Sequence, residues 1–97
     1  MHRISVGRAA QTDIRDALNW YNHIQTHLRV RLADDIDGLL DRLGQWPLQF
    51  PVILRDVRRA VLNRFPYALY FFIEPETVVV IAFLHTSRNP TLWQTRR

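Results

Sequence analysis

The order of residue types predicts an α+β fold: a short N-terminal strand, an α-helical hairpin, and then an antiparallel β-sheet of three main strands. Three observations carry that reading. The first half holds two apolar stripes at helical spacing, and the second half holds three runs rich in aromatic and β-branched residues. Gly44 and Pro47 separate the halves, a glycine to close a helix and a proline that cannot continue one.

Taken in order, Ile4 to Val6 reads as a strand closed by Gly7. Thr12 is the expected cap of a helix starting near residue 13, with Asp13 and Asp16 at the positive end of its dipole. Ile14, Leu18, Tyr21, Ile24 or Gln25, and Leu28 recur on one face. The second helix places Leu32, Ile36, Leu39, Leu40 and Leu43 on one stripe, and the two stripes are expected to pack together. Gln45 to Pro51 is a connector. Val57 to Leu62, Tyr67 to Ile73 and Val78 to Leu84 are strands, the last two joined by a tight turn through Pro75. Two such apolar strands imply a sheet covered on both sides, either by a partner segment or by a two-sided core of the chain itself.

Composition narrows the function classes. The 97 residues suit one domain, 1–97, burying roughly 60 to 65% of the unfolded chain's surface. With 47% hydrophobic and 23% charged residues, the chain is of the globular class. The absence of Cys excludes disulfides, thiolate metal sites and thiol nucleophiles, and fits a cytoplasmic location. No apolar run approaches the ~18 to 20 residues of a membrane helix, so no membrane role is expected. All thirteen basic residues are Arg, whose planar fork grips carboxylate or phosphate at two points. Residues 1–54 hold six Arg and six acidic groups, whereas residues 55–97 hold seven Arg and three acidic groups. The net charge of +4 therefore sits in the second half and favours an acidic partner, nucleic acid or polypeptide.

Several motifs carry a family resemblance over nearly the whole chain. They are Ala17-Leu18-Asn19-Trp20-Tyr21, Trp46-Pro47, Phe50-Pro51, Val57-Arg58-Arg59, Arg64-Phe65-Pro66-Tyr67-Ala68-Leu69-Tyr70, and His85 through Arg88, Pro90 and Trp93. Their order and spacing resemble the RelE/ParE superfamily of toxins from type II toxin–antitoxin modules. The resemblance implies growth inhibition by the free toxin and a hetero-oligomer with a cognate antitoxin. The ribonuclease branch of that superfamily places an Arg after the aromatic residue opening the penultimate strand and ends on a Tyr or His proton donor. Here those positions are Ala68 and Trp93. Both departures favour the ParE-like branch, with DNA gyrase as its target. The alternatives are a ribosome-dependent endoribonuclease acting on messenger RNA, and an inactive homologue that only binds antitoxin.

The expected antitoxin- or target-binding residues are Arg58, Arg59, Arg64, Tyr67, His85, Arg88 and Trp93. Arg58 and Arg59 fall on opposite faces of a strand, so at most one joins a given groove. No catalytic residue is expected unless the chain is a ribonuclease; His85, Arg59 and Arg88 would then serve, because His exchanges protons near neutrality and Arg neutralises charge on phosphorus. His23 and His27 share a helix face but lack a third ligand and a neighbouring Glu, so no metal or cofactor is expected. Trp20, Tyr21, Trp46, Phe50, Phe65 and Phe71 read as packing residues, and Trp93, an aromatic after a basic turn, as one able to stack on a base or anchor a partner chain.

Overall fold

The computed structural model describes residues 1–97. Strand β1 (Arg3–Val6) leads into helices α1 (Arg8–Ile24) and α2 (Thr26–Gln45). A short 3-10 turn, Pro47–Gln49, connects these to β2 (Val52–Leu54), β3 (Val57–Val61), β4 (Tyr67–Ile73), β5 (Thr77–His85) and a four-residue helix α3 (Thr91–Gln94). The five strands form one sheet in the order β1-β5-β4-β3-β2. The α+β class is as expected, but the sheet is mixed: β1 pairs with β5 in parallel, and β2 adds an edge strand that the sequence did not signal. None of the helices is long and apolar enough to cross a membrane.

The helix boundaries differ from expectation, with identifiable causes. α1 starts at Arg8, not near residue 13, because Gly7 ends β1 in an extended conformation, donating to the Val80 carbonyl while accepting from Gln11 N–H. Asp13 thus lies in the second turn and not at the helix start. The break between helices is the single extended residue Gln25, so Leu28 belongs to α2, and His23 and His27 lie on different helices. Gly44 remains helical. Its carbonyl accepts from His2 N–H, and a Cβ there would sit 3.2 Å from the His2 carbonyl oxygen, a tight approach that glycine relieves where β1 passes. The Pro75 turn is as expected, closed between Glu74 and Thr77 in both directions.

The sheet is covered on both faces. On the front, the stripes of α1 (Ala10, Ala17) and α2 (Leu32, Ile36, Leu39, Leu43) bury Leu69, Phe71, Val78, Val80 and Phe83. On the back, Val57, Ala68, Tyr70, Ala82 and Leu84 pack beneath Trp93 of α3, whose indole stacks on Tyr70 with ring centroids 5.3 Å apart. The chain's own C-terminal segment therefore supplies the second cover. Trp93 is buried, while Trp20 and Trp46, expected to pack, are 62% and 60% exposed. One bulge sets the division of faces. Tyr70 pairs with Ala82 and Phe71 with Val80, so Ile81 is an extra residue in β5, and Ile81 and Ala82 both point to the back.

Two clasps hold the C-terminal segment. Arg96 pairs with Asp13 through both guanidinium nitrogens and also donates to the Ile81 carbonyl at 3.2 Å; Asp13 Oδ2 in turn accepts from Phe83 N–H at 3.1 Å. Arg97 pairs with Asp56 and lies over the Phe72 ring, 3.6 Å from its centroid. Hydrogen bonding from Arg97 holds the Asp56 carboxyl below its ordinary value of 3.8.

Trp93→Ala should cost about 3 kcal/mol, because it opens a cavity over Tyr70 and wets the back face. Urea denaturation of the purified chain measures it, and a loss below one kcal/mol, on the order of a surface change, would contradict the back-core assignment. Asp13→Ala should cost about 2 kcal/mol by the same measurement, since it orphans both the Arg96 guanidinium and the Phe83 N–H.

Candidate functional site

The arginines of the second half are sorted by the strands and loops that carry them. Along β3, Val57 and Arg59 face the back while Arg58 and Ala60 face the front. Arg58 is occupied at home: its Nη1 donates to the Phe50 carbonyl at 2.6 Å and reaches the Leu48 carbonyl at 3.4 Å. It thereby fixes the connector to β3. Arg64 lies in the β3–β4 connection and lines a groove with Asp34, Gly38 and Arg42 that none of the other expected residues shares.

Arg59, Arg88 and Trp93 come together on the back face. They line a cleft of about 300 Å³ with Ile53, Leu54, Tyr70, Thr86, Pro90 and Gln94. The floor is the Tyr70–Trp93 stack and the rim is cationic. The chain's two ion pairs are Arg96–Asp13 and Arg97–Asp56, so neither Arg59 nor Arg88 has a carboxylate partner. Two unneutralised guanidinium groups beside an apolar floor suit a carboxylate-bearing segment with an apolar neighbour.

Arg88 also reaches a second cleft of about 180 Å³ on the α1 side, lined by Asp13, Asp16, Tyr67, Phe83 and His85. Tyr67 stacks on Phe83 at 5.0 Å and meets the His85 ring edge-on at 5.3 Å. Burial raises the Tyr67 phenol above its ordinary value of 10.0, the neighbouring Tyr21 adds to the rise, and Arg88 opposes it. The imidazole of His85 is committed locally. Its Nδ1 accepts from the Ser87 backbone N–H at 3.1 Å and lies 2.8 Å from Ser87 Oγ. A backbone amide only donates, so the neutral ring carries its proton on Nε2 and its Nδ1 lone pair is directed at Ser87.

Of the seven expected residues, Arg59, Arg88 and Trp93 share one cleft, and Tyr67, His85 and Arg88 share the other. The contributions of Tyr70, Ile53 and Leu54 were not singled out from sequence. Tyr70 sits two residues after Ala68 and hence on its face, a period-two relation that marks it as a back-face group once the sheet is known to be covered there.

The family model for the ParE toxin of the type II toxin–antitoxin system, parDE, matches residues 4–90. A solved chain from the chromosomal ParDE TA system of P. aeruginosa is similar in fold, with a TM-score of 0.77 at 19% identity, covering 88% of this chain and 96% of that one. No curated protein sequence matches.

Replacing Arg88 with Gln removes the charge that holds the Tyr67 phenol down, so its titration midpoint should move further above 10.0. Ultraviolet difference titration against a Tyr67→Phe control reads this, and an unmoved midpoint would show that Arg88 does not face the phenol.

Proposed function

We propose that this chain, which belongs to the family of ParE toxins of type II toxin–antitoxin systems, stops growth by binding DNA gyrase and is neutralised by a cognate antitoxin seated in the Arg59–Arg88 cleft. The observation that carries the binding site is the pair of guanidinium groups left without carboxylates beside the Tyr70–Trp93 floor. A carboxylate from the antitoxin, gripped at two points by either Arg, supplies what the toxin lacks. An apolar residue beside it in the antitoxin then covers Ile53 and Leu54, which lie partly open on the edge of the cleft.

The gyrase reading rests on the family and on residues that suit ribonuclease chemistry poorly. Ala68 is fully buried on the back face, so the side chain at that position points into packing and not into a phosphate site. The Trp93 indole cannot act as a general acid near neutral pH, and its ring is stacked on Tyr70. His85 has its Nδ1 engaged by Ser87, an arrangement that suits holding the loop better than starting cleavage through a 2'-hydroxyl. These features support action through binding surfaces, with Arg59 and Arg88 as the contact groups.

Reversing both charges, Arg59→Glu with Arg88→Glu, should weaken antitoxin affinity by about 100-fold or more in calorimetry, in line with truncating desolvated charge pairs. Circular dichroism should show the fold intact, because neither Arg is paired within the chain. The target is tested by inducing the chain without antitoxin and following thymidine and amino-acid incorporation in one culture. Thymidine incorporation should fall first; an earlier fall in amino-acid incorporation would reject gyrase in favour of the ribosome.

A further inference from the structure

Positive charge on the back of the sheet extends beyond Arg59 and Arg88. Their cleft adjoins another of about 290 Å³ that Arg55 and Arg97 line, and the two share Leu54, Trp93 and Gln94. Arg97 is held by Asp56, whereas Arg55, Arg59 and Arg88 have no carboxylate partner. Acidic groups are concentrated elsewhere. Asp13, Asp16, Asp34, Asp35, Asp37 and Asp41, six of the chain's nine, lie on α1 and α2. Glu74 and Glu76 sit at the β4–β5 turn, where the charge of Glu74 reaches Arg97, and Asp13 and Asp16 border Arg88 only on its α1 side. A basic stripe on one face with the acids on the opposite layer is the electrostatic footprint of a polyanion site.

Arg55 adds an independent observation. It alone in the chain has a positive φ, 52°, a left-handed conformation in which glycine or asparagine is usual. It stands with Asp56 between β2 and β3, exposed, and neither ion pair of the chain uses its guanidinium. A strained backbone position that presents a free cation to solvent points to a use outside the chain.

We propose that this face binds the phosphate backbone of duplex DNA, with Arg55, Arg59 and Arg88 each gripping a phosphate. A phosphodiester presents two free oxygens to a guanidinium fork as a carboxylate does. Four residues separate Arg55 from Arg59, at most roughly 13 Å of extended chain, an interval that about four successive phosphates cover at ~3.4 Å of helix axis each. Thr86 and Gln94 line the Arg59 cleft and add uncharged donors. The aromatic rings of this face are closed to bases: Tyr70 and Trp93 are each 5% exposed and stacked on one another, and Arg97 lies over Phe72. An unpaired strand needs open rings on which to stack, so the surface suits a duplex held by its backbone without base readout. The inference rests on neither the antitoxin nor the gyrase reading, although a carboxylate seated at Arg59 and Arg88 would compete with the phosphates.

Fluorescence anisotropy of a short labelled duplex of mixed sequence, titrated with the full chain alone over a range of salt, tests it. A dissociation constant of roughly 1 to 100 μM is expected at physiological salt, and the logarithm of affinity should fall against the logarithm of salt with a slope of about 3, one contact for each free arginine. Arg59→Gln with Arg88→Gln should reduce that slope by about two. Arg55→Gly should reduce it by about one while holding or raising the melting temperature, since glycine accepts the left-handed turn. Arg29→Gln, on α2, should leave the slope unchanged. Absence of binding, a slope indifferent to the three back-face substitutions, or an equal loss from Arg29→Gln would overturn the inference. Tighter binding of one unpaired strand of the same sequence would also overturn it, because bases and not phosphates would then hold the ligand. No antitoxin or gyrase enters this measurement, so its failure is distinct from failure of the calorimetric and incorporation tests of those partners.

Discussion

The structure depends on how the unpaired edge of β5 is closed. β1 accompanies β5 only as far as Val80, after which β5 runs on along an edge with unsatisfied backbone groups. Exposed edges of this kind invite pairing with other chains, and a buried unmatched N–H or carbonyl costs about 1 to 3 kcal/mol. Here Asp13 takes the Phe83 N–H, Arg96 takes the Ile81 carbonyl, and the two side chains pair with one another. One ion pair therefore joins the first helix, the last strand and the C-terminal segment. Its worth lies less in Coulomb attraction, which partial exposure reduces, than in satisfying backbone groups that no strand reaches.

That closure places α3 over the back of the sheet. Once Arg96 and Arg97 are anchored at Asp13 and Asp56, Trp93 lies over Tyr70, and the back face acquires a core of its own. The seven-residue strand β4 is apolar on both faces because both faces are covered by the same chain. The cationic cleft is a by-product of that packing. Its floor is the Tyr70–Trp93 stack, and its two arginines, Arg59 and Arg88, are paired with no carboxylate of the chain.

The same logic sorts the remaining arginines by use. Arg58 is consumed by connector carbonyls, Arg96 and Arg97 by carboxylates, and Arg59 and Arg88 by nothing within the chain. Adjacent residues Arg58 and Arg59 thus have different roles because alternation along β3 sends them to opposite faces, one toward the helical layer and one toward open space. In the proposed function Arg59 and Arg88 meet the antitoxin.

The sequence by itself determined the α+β class, the helical hairpin, the β4–β5 turn at Pro75 and the concentration of positive charge in the second half. Each follows from local periodicity, turn chemistry or simple counting. It also carried the resemblance that the family match upheld. Tertiary structure alone decided which arginines remain free, because Arg96 and Arg97 find Asp13 and Asp56 across 83 and 41 residues of chain. The role of Gly44 was likewise hidden, since its reason is the passage of β1 and not the end of a helix. The Ile81 bulge did most to separate the two levels. Strict alternation would send Phe83 to the back face, but one extra residue returns it to the front beneath Tyr67. Such a shift of register leaves no periodic signature, because it is set by what each face of the sheet must bury.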